Sequence, residues 1–188
     1  MSIGKGMAKV ITDLSIENNL EGFFYESLSE LNKKSTYPLS EPFIIYTSEV
    51  MGRFGFSEAF FEVNDGKVKE KILGKKLLES SQLPIGQRKK TLREIGDLSM
   101  FICGYFAESL NNKLIDVSFY QSLGKSAYNQ LDGYIPDYLE VPSFYENLSQ
   151  IFDVITYLMN HISYMVQDNN SSFTDSLLIF DNNKIKAS

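Results

Sequence analysis

Apolar residues recur every three or four positions along most of this chain, and this spacing constrains the fold more than any other feature of the sequence. The stretch from 148 to 166 is the clearest case, because its apolar side chains form one wide helical stripe. Proline and glycine, which interrupt helices, account for only 5 and 12 of the 188 residues. The sequence therefore predicts an all-α fold, a multi-helix bundle of about six to eight helices.

Length and composition bear on the domain organisation. A chain of 188 residues that is 43% hydrophobic can bury a core within one domain. We predict a single helical domain at 1–166 and a polar C-terminal segment at 167–188, partly docked or flexible. The single cysteine excludes an intramolecular disulfide, and the N-terminus lacks a secretory signal pattern. The most apolar run, 98–107, is shorter than the roughly 20 residues of a membrane-spanning helix, so we expect a cytoplasmic protein without a membrane span.

Capping and turn residues divide the helical pattern into elements. Ser57 and Asp116 are predicted N-caps, and Ser143 with Glu146 has the spacing of a capping box. Residues 44–47 have strand propensity, but the surrounding spacing favours a helix. The connector 134–142 contains two prolines. The predicted helices span residues 7–14, 20–31, 41–54, 68–78, 87–110, 117–131 and 143–166, followed by a short element at 173–180.

Helix 87–110 is the predicted centre of the bundle, and its faces differ in character. Its core face carries Leu92, Ile95, Leu98, Ile102, Phe106 and Leu110. A second strip carries only small residues, namely Gly96, Ser99, Cys103, Gly104 and Ala107. Each glycine inside a helix costs roughly 0.5–1 kcal/mol relative to alanine. We therefore predict that a neighbouring backbone packs closely along this strip, and that Gly124 and Ala127 allow a similar approach on the next helix.

A third strip of the same helix combines acids with aromatic residues, and two interpretations of it are open. The strip consists of Glu94, Asp97, Phe101, Tyr105 and Glu108. In the first interpretation it lines a ligand cleft in which Arg93 orients a carboxylate. In the second, the aromatic side chains pack beneath another helix while the acids meet water or a basic partner. We favour the second, because aromatic residues at helical spacing usually belong to a core.

Cations at the start of this helix are a separate candidate site. Arg88, Lys89, Lys90 and Arg93 lie where the helix dipole disfavours positive charge. A bound anion would account for them. The competing interpretation pairs Lys90 with Glu94 and Arg93 with Asp97 on a solvated face, and we favour it. The candidate ligand-binding residues are Arg88, Lys90, Arg93, Glu94, Asp97 and Tyr105.

The remaining chemistry-bearing residues argue against an enzyme. His161 is the only histidine, so no paired Glu-x-x-His motif for a di-iron site can form, and we predict a structural or surface role for it. Cys103 lies among apolar residues and is predicted to be an inert buried thiol. The sequence predicts no metal, no cofactor and no catalytic residue. A net charge of −6 argues against nucleic-acid binding, which requires a positive face.

Residues 92–131 carry a recognisable pattern. It consists of Leu92-Arg93-Glu94-Ile95-Gly96-Asp97, Phe101, Gly104-Tyr105-Phe106, Glu108-Ser109-Leu110, Asp116-Val117, Phe119-Tyr120, Leu123-Gly124 and Ala127-Tyr128. In this pattern the chain resembles an uncharacterised family of helical bacterial proteins. The resemblance implies a bacterial, soluble, helical protein, and it brings no known activity, cofactor or partner.

Two functional hypotheses follow from these observations. The first is a cytoplasmic protein–protein interaction module, regulatory or adaptor in role, with a protein partner or self-association, the latter through the last long helix. It rests on the absence of catalytic motifs and on the surplus of aromatic residues, 11 tyrosines and 14 phenylalanines. The alternative is a small-molecule binding protein or enzyme that holds an anionic ligand in a cleft near Arg93, Glu94, Asp97 and Tyr105. An open polar cleft there would favour the alternative, whereas a filled interior would favour the first.

Overall fold

The computed structural model describes residues 20–55, 70–107 and 117–168, with the backbone alone at 70–72 and 166–168. It confirms the all-α prediction, since the described part contains seven helices and one two-stranded hairpin. The hairpin strands are β1 (Asp137–Tyr138) and β2 (Val141–Pro142). Helix α1 includes residues 20–33, and the others are α2 (Glu41–Gly55), α3 (Glu70–Ser80), α4 (Ile85–Tyr105), α5 (Val117–Asp132), α6 (Phe144–Gln150) and α7 (Phe152–Asp168).

The described residues fall into two compact units. Residues 20–55 belong to one unit, and residues 70–107 and 117–168 belong to the other. The sequence contains no low-complexity linker that would indicate a boundary between the two units. The predicted helix 7–14, the caps Ser57 and Asp116 and the element 173–180 lie outside the described residues. The predicted domain 1–166 and segment 167–188 stay predictions.

The first unit contains an antiparallel helix pair. Tyr25 of α1 donates a hydrogen bond to Glu41 at the start of α2, whereas Glu21 lies against Gly52 near the end of α2, so the two helices run in opposite directions. Asn32 closes the connection by donating to and accepting from the backbone of Leu39, both at 2.8 Å. The helix predicted at 41–54 is confirmed. Its buried residues follow helical spacing, and this burial overrides the strand propensity of residues 44–47.

Helix α4 is the centre of the second unit, as predicted. It packs against α3, α5 and α7, and its core face contributes Leu92, Ile95 and Ile102 to the buried interior. The helix begins at Ile85, directly after Pro84, which suits a first-turn boundary because proline lacks a backbone N–H. It ends at Tyr105, earlier than predicted, and residues 108–110 lie outside the described part.

The capping box predicted at the start of α6 is wrong. Ser143 adopts a left-handed backbone with φ 48° and makes no side-chain cap, because an N-cap hydroxyl requires a β-region backbone. Asp132, the last residue of α5, takes the role instead. One of its carboxylate oxygens accepts hydrogen bonds from the backbone N–H groups of Tyr145 and Glu146, each at 3.1 Å.

The helix predicted at 143–166 is also wrong as a single element. The chain turns at Ile151, which has φ −92° and ψ 9°, and this residue separates α6 from α7. The backbone hydrogen bonds from Ile151 to Asn147 and from Ile155 to Ile151 continue across the turn. The apolar spacing therefore remains helical through the turn, so the sequence pattern does not reveal the change of element.

The predicted connector 134–142 contains the hairpin. Tyr138 pairs with Val141, and the two turn residues between them, Leu139 and Glu140, both have positive φ, 47° and 61°. A two-residue turn with two positive φ values matches the right-handed twist of the strands, although it usually carries asparagine and glycine. Tyr138 packs against Phe144 at 4.8 Å between ring centroids. The hairpin thereby brings an aromatic ring to the start of α6.

Candidate functional site

The small-residue strip of α4 is a packing device. A Cβ atom added at Gly96 would lie 2.5 Å from the ring of Tyr128, and one at Gly104 would lie 2.6 Å from Cβ of Met159. On α5, a Cβ at Gly124 would lie 2.6 Å from the ring of Phe152. The strip is a close-packed contact surface as predicted, but the prediction of a neighbouring backbone is wrong, because side chains of α5 and α7 fill the space.

Asp97 joins α4 to α5 from a completely buried position. Its Oδ1 accepts a 2.8 Å hydrogen bond from the hydroxyl of Tyr128, and its Oδ2 lies 3.7 Å from Nε of Arg93. Arg93 and Asp97 form the predicted pair, but the predicted solvated face is wrong for Asp97, which is fully buried. A buried carboxylate is stable only with such partners, so this residue has a structural role in the described part of the chain.

The cations at the start of α4 contact aromatic rings of the segment before α6. The guanidinium of Arg88 lies 5.1 Å from the ring centroid of Tyr134, and that of Arg93 lies 5.5 Å from the ring centroid of Tyr138. Lys90 is exposed. Cation–π contacts of this kind offset the unfavourable position of a cation near a helix start. These contacts explain the positions of Arg88 and Arg93 near the helix start without a bound anion.

The predicted pair of Lys90 with Glu94 is not formed between these two described residues. Glu94 is exposed and its Oε1 lies 3.4 Å from Nζ of Lys76 on α3. Glu94 therefore pairs with a lysine of the neighbouring helix α3 instead of with Lys90 on its own helix. An exposed ion pair of this type contributes little to stability.

The two aromatic residues of the mixed strip pack against each other, Phe101 buried and Tyr105 half-buried. Phe101 is buried and stacks on Tyr105 at 5.2 Å between ring centroids. Burial raises the pKa of Tyr105 to about 12, so its hydroxyl stays protonated near neutral pH and is unsuited to act as a base. This packing agrees with the second interpretation of the strip. Glu108 lies outside the described residues.

Apart from the Arg93–Asp97 pair, the six candidate ligand-binding residues have separate environments. Asp97 is buried, Tyr105 is stacked, Glu94 and Lys90 are on the surface, and Arg88 and Arg93 lie over aromatic rings. Ligand binding by this set stays a prediction.

The other chemistry-bearing residues match their predicted roles. Cys103 is buried, its Sγ donates to the backbone oxygen of Val117 at 3.7 Å, and burial raises the pKa of the thiol to about 12. A thiol that ionises so reluctantly is a poor nucleophile. His161 is a surface residue that meets the ring of Tyr157 edge to face at 4.6 Å. Among the described residues, no group of three or more histidine, cysteine, aspartate or glutamate side chains could hold a metal ion.

An open groove of about 530 Å³ lies on the first unit, whereas the candidate residues of α4 belong to the second unit. Its lining includes Tyr25, Glu30, Lys33 and Glu41. Lys33 pairs with Glu30 at 2.7 Å, and Tyr25 donates to Glu41 at 2.9 Å. These four polar side chains satisfy one another in pairs, and all of them are exposed or half-buried.

The exposed side of α7 is a candidate functional surface whose residues are not among the site residues predicted from the sequence. Val154, Tyr157, Tyr164 and Met165 are 40%, 64%, 38% and 53% exposed, and the exposed His161 lies among them. We call these five residues the α7 outer face. The same helix buries Phe152, Ile155, Met159 and Ile162 on its inner side. Helix α7 therefore has one apolar side that is buried and another that is partly exposed.

Sequence signals for this surface exist. Residues 154, 157, 161 and 164 are separated by three, four and three positions, a second helical stripe beside the core stripe. The distribution of charge is the other signal: residues 126–183 contain no lysine or arginine but eight acids. The total charge of −6 conceals this asymmetry because the cations are concentrated elsewhere in the chain.

No helix within the described ranges is long and apolar enough to cross a membrane. Comparison of the chain with protein-family models, with curated proteins and with solved structures gives no match. The resemblance to a family of helical bacterial proteins stays a prediction.

Proposed function

We propose that this chain is a protein–protein interaction module, regulatory or adaptor in role, that binds a helix of a partner protein on the α7 outer face. One observation carries the proposal: four large hydrophobic side chains are exposed together on one side of a helix whose other side is buried. A contiguous apolar patch of this kind on a protein surface marks an interaction site more often than chance exposure does.

The spacing of the patch favours a helical partner. Val154, Tyr157, His161 and Tyr164 alternate by three and four positions, which is the spacing by which one helix presents a stripe to another. Met165 widens the stripe on one side. A partner helix laid along α7 would contact all five residues at once.

The patch is also rigid, which lowers the entropic cost of binding. Phe152, Ile155, Met159 and Ile162 fix the inner side of α7 in the core of its unit. Two of the exposed residues are tyrosines, and tyrosine is enriched among the residues that dominate binding energy at interfaces. The proposal includes a bacterial, cytoplasmic setting, as expected from the sequence, and no catalytic step.

Site-specific photo-crosslinking in the native cells would test the proposal. A crosslinking amino acid at position 157 is expected to yield a discrete adduct with one protein, because Tyr157 is the most exposed of the four large hydrophobic side chains in the patch. The same amino acid at position 37 is the control, since Tyr37 is 82% exposed but lies in the other unit. Serine substitution of Tyr164 should abolish the adduct at 157. Equal adducts at 157 and 37, or an adduct indifferent to Tyr164→Ser, would contradict the proposal.

A further inference from the structure

We infer that one end of the helical hairpin formed by α3 and α4 docks on the surface of an anionic phospholipid bilayer. This surface is separate from the α7 outer face, and its role goes beyond the proposed function. Docking of this kind needs no membrane-spanning helix. Two independent observations carry the inference: exposed apolar side chains at the end of the hairpin, and two lysines behind them that have no partner among the described residues.

Helices α3 and α4 form an antiparallel hairpin. They pack against each other, and Nζ of Lys76 lies 3.4 Å from Oε1 of Glu94. The chain turns between the helices at residues 81–84, where the backbone N–H of Leu83 donates to the backbone oxygen of Ser80 at 3.1 Å. Residues on either side of this turn therefore lie at the same end of the hairpin.

Large apolar side chains are exposed at this end. Leu78 is 78% exposed, Ile85 is 63% exposed, and Leu83 between them is half-buried. We call these three residues, together with Lys89 and Lys90, the α3–α4 tip. Exposed apolar side chains of this kind can enter the boundary between lipid headgroups and acyl chains, where cations interact with anionic lipid.

The two lysines of the tip differ from the arginines of the same helix. Arg88 and Arg93 contact tyrosine rings. The side chains of Lys89 and Lys90 make no ion pair, hydrogen bond or ring contact with any residue that the structure describes. The phosphate groups of anionic lipids would supply the counter-charge that the two lysines lack.

The spacing along α4 suits a bilayer surface that the hairpin meets end-on. Lys89 and Lys90 follow Ile85 by four and five positions, which is about 6–8 Å along a helix axis. Apolar side chains at a bilayer interface are buried to a depth of roughly 5–10 Å. With Ile85 inserted to that depth, the lysines would lie at the level of the headgroups.

The acids on α3 and on the same side of α4 have lysine partners of their own. Glu79 lies 3.5 Å from Lys75, and Glu94 lies 3.4 Å from Lys76. These pairs leave the positive charge of the tip uncompensated, since neither uses Lys89 or Lys90.

The acids elsewhere in the chain do not prevent docking. Asp137 and Glu140 are exposed on the neighbouring β1–β2 hairpin, but they lie beside Tyr138, whose ring contacts Arg93, so a cation accompanies them. More distant acids contribute to the net charge of −6, yet charges separated by more than about 8–10 Å are largely screened at physiological salt. The charge close to the bilayer therefore decides the interaction.

An acidic segment of a partner protein is the competing occupant. It would attract the same lysines, but Leu78 and Ile85 belong to different helices and form no single helical stripe for such a segment to cover. A bilayer surface requires no matching stripe and would bury both side chains. The combination of exposed apolar and unpaired cationic residues therefore favours the bilayer.

Cosedimentation of the full chain with lipid vesicles tests the inference. One set of vesicles contains phosphatidylcholine and phosphatidylglycerol in equal parts, and the other contains phosphatidylcholine alone. We expect the chain to bind the mixed vesicles and to bind the neutral ones at least about tenfold more weakly. Higher salt should weaken the binding, because it screens the attraction between lysine and lipid phosphate.

Substitutions in the chain locate the binding. Lys89→Gln with Lys90→Gln should weaken it roughly twentyfold, because each lysine near an anionic surface contributes about fivefold. Lys33→Gln with Lys34→Gln makes the same change of charge on the other unit and should leave the binding unchanged. Leu78→Ser with Ile85→Ser should weaken it at least about tenfold, whereas Tyr37→Ser, also on the other unit, should have no effect.

The outcomes decide between the bilayer and its competitors. Equal binding to both sets of vesicles, or to neither, would overturn the inference, and so would an equal loss from the two lysine double variants. Binding of a polyglutamate peptide that depends on Lys89 and Lys90 but not on Leu78, without binding to vesicles, would overturn it in favour of an acidic protein segment. The crosslinking experiment at position 157 decides the proposed function separately, since no residue of the tip belongs to the α7 outer face.

Discussion

At the scale of single residues, Asp97 shows how a candidate ligand residue becomes a structural one. Its carboxylate is fully buried, and the hydroxyl of Tyr128 on α5 donates to it at 2.8 Å. The sequence predicted the contact with Arg93, which is local, but it could not predict Tyr128, which is 31 positions away. Interactions between distant residues depend on the packing of the helices, and no spacing rule within one helix reveals them.

The Asp97–Tyr128 hydrogen bond gives a prediction about stability. Tyr128→Phe should lower the free energy of unfolding by about 1.5–3 kcal/mol, because it removes the hydroxyl that donates to a fully buried carboxylate. Urea denaturation of the variant and of Tyr37→Phe, an exposed control in the other unit, would measure this. The control should change stability by less than about 0.5 kcal/mol. A Tyr128→Phe protein as stable as the control would show that the hydrogen bond contributes nothing.

Gly96 and Gly86 lie on the same helix, and an alanine substitution at one serves as the control for the other. A Cβ at Gly96 would meet the ring of Tyr128 at 2.5 Å, whereas one at Gly86 would meet nothing within 4 Å. Gly96→Ala should therefore destabilise the fold by about 1–3 kcal/mol through overpacking. Gly86→Ala should stabilise it by about 0.4–1 kcal/mol, since alanine restricts the unfolded chain. Thermal unfolding of the two variants would check both signs, and a stabilising Gly96→Ala would contradict the packing account of the strip.

At the scale of elements, the sequence predicts the positions of the helices better than the residues at which they begin and end. The apolar period located α2, α4 and α5, because their buried apolar side chains recur at helical spacing. The start of α6 was mispredicted because the capping residue comes from another helix: Asp132 lies 13 positions before Tyr145 in the sequence. The turn at Ile151 was missed because helical hydrogen bonds continue across it. The hairpin was missed because its turn lacks glycine and asparagine.

The cap at the start of α6 gives a prediction at this scale. Asp132→Ala should cost about 0.5–2 kcal/mol of stability, because two backbone N–H groups lose their acceptor. Asp132→Asn keeps an acceptor oxygen and should retain most of that stability. Ser143→Ala should have little effect, since Ser143 makes no side-chain cap. Chemical denaturation would measure all three, and a larger loss from Ser143→Ala than from Asp132→Ala would restore the capping box.

At the scale of the whole molecule, the sequence predicted the class of fold and the surroundings of α4 better than the candidate site. Composition and periodicity determine how many helices form, and seven are present in the described part. The exposure of an apolar side chain is harder to predict, because an apolar stripe in the sequence is the same whether or not a neighbouring helix covers it. The stripe predicted within 148–166 is buried at Phe152, Ile155 and Ile162, whereas the apolar residues Val154, Tyr157 and Met165 of the same helix are 40%, 64% and 53% exposed. Only the packed structure separates the two sides.

The central claim is that a partner covers the α7 outer face in the cell, and the oxidation of Met165 tests it most directly. Met165 is 53% exposed, whereas Met100 and Met159 in the same unit are fully buried and serve as internal references. Mass spectrometry after mild peroxide treatment would give the rate of sulfoxide formation at each methionine. In the purified chain, Met165 should oxidise much faster than the references, and in intact cells it should be protected. Equal oxidation of Met165 in cells and in the purified chain would contradict the account.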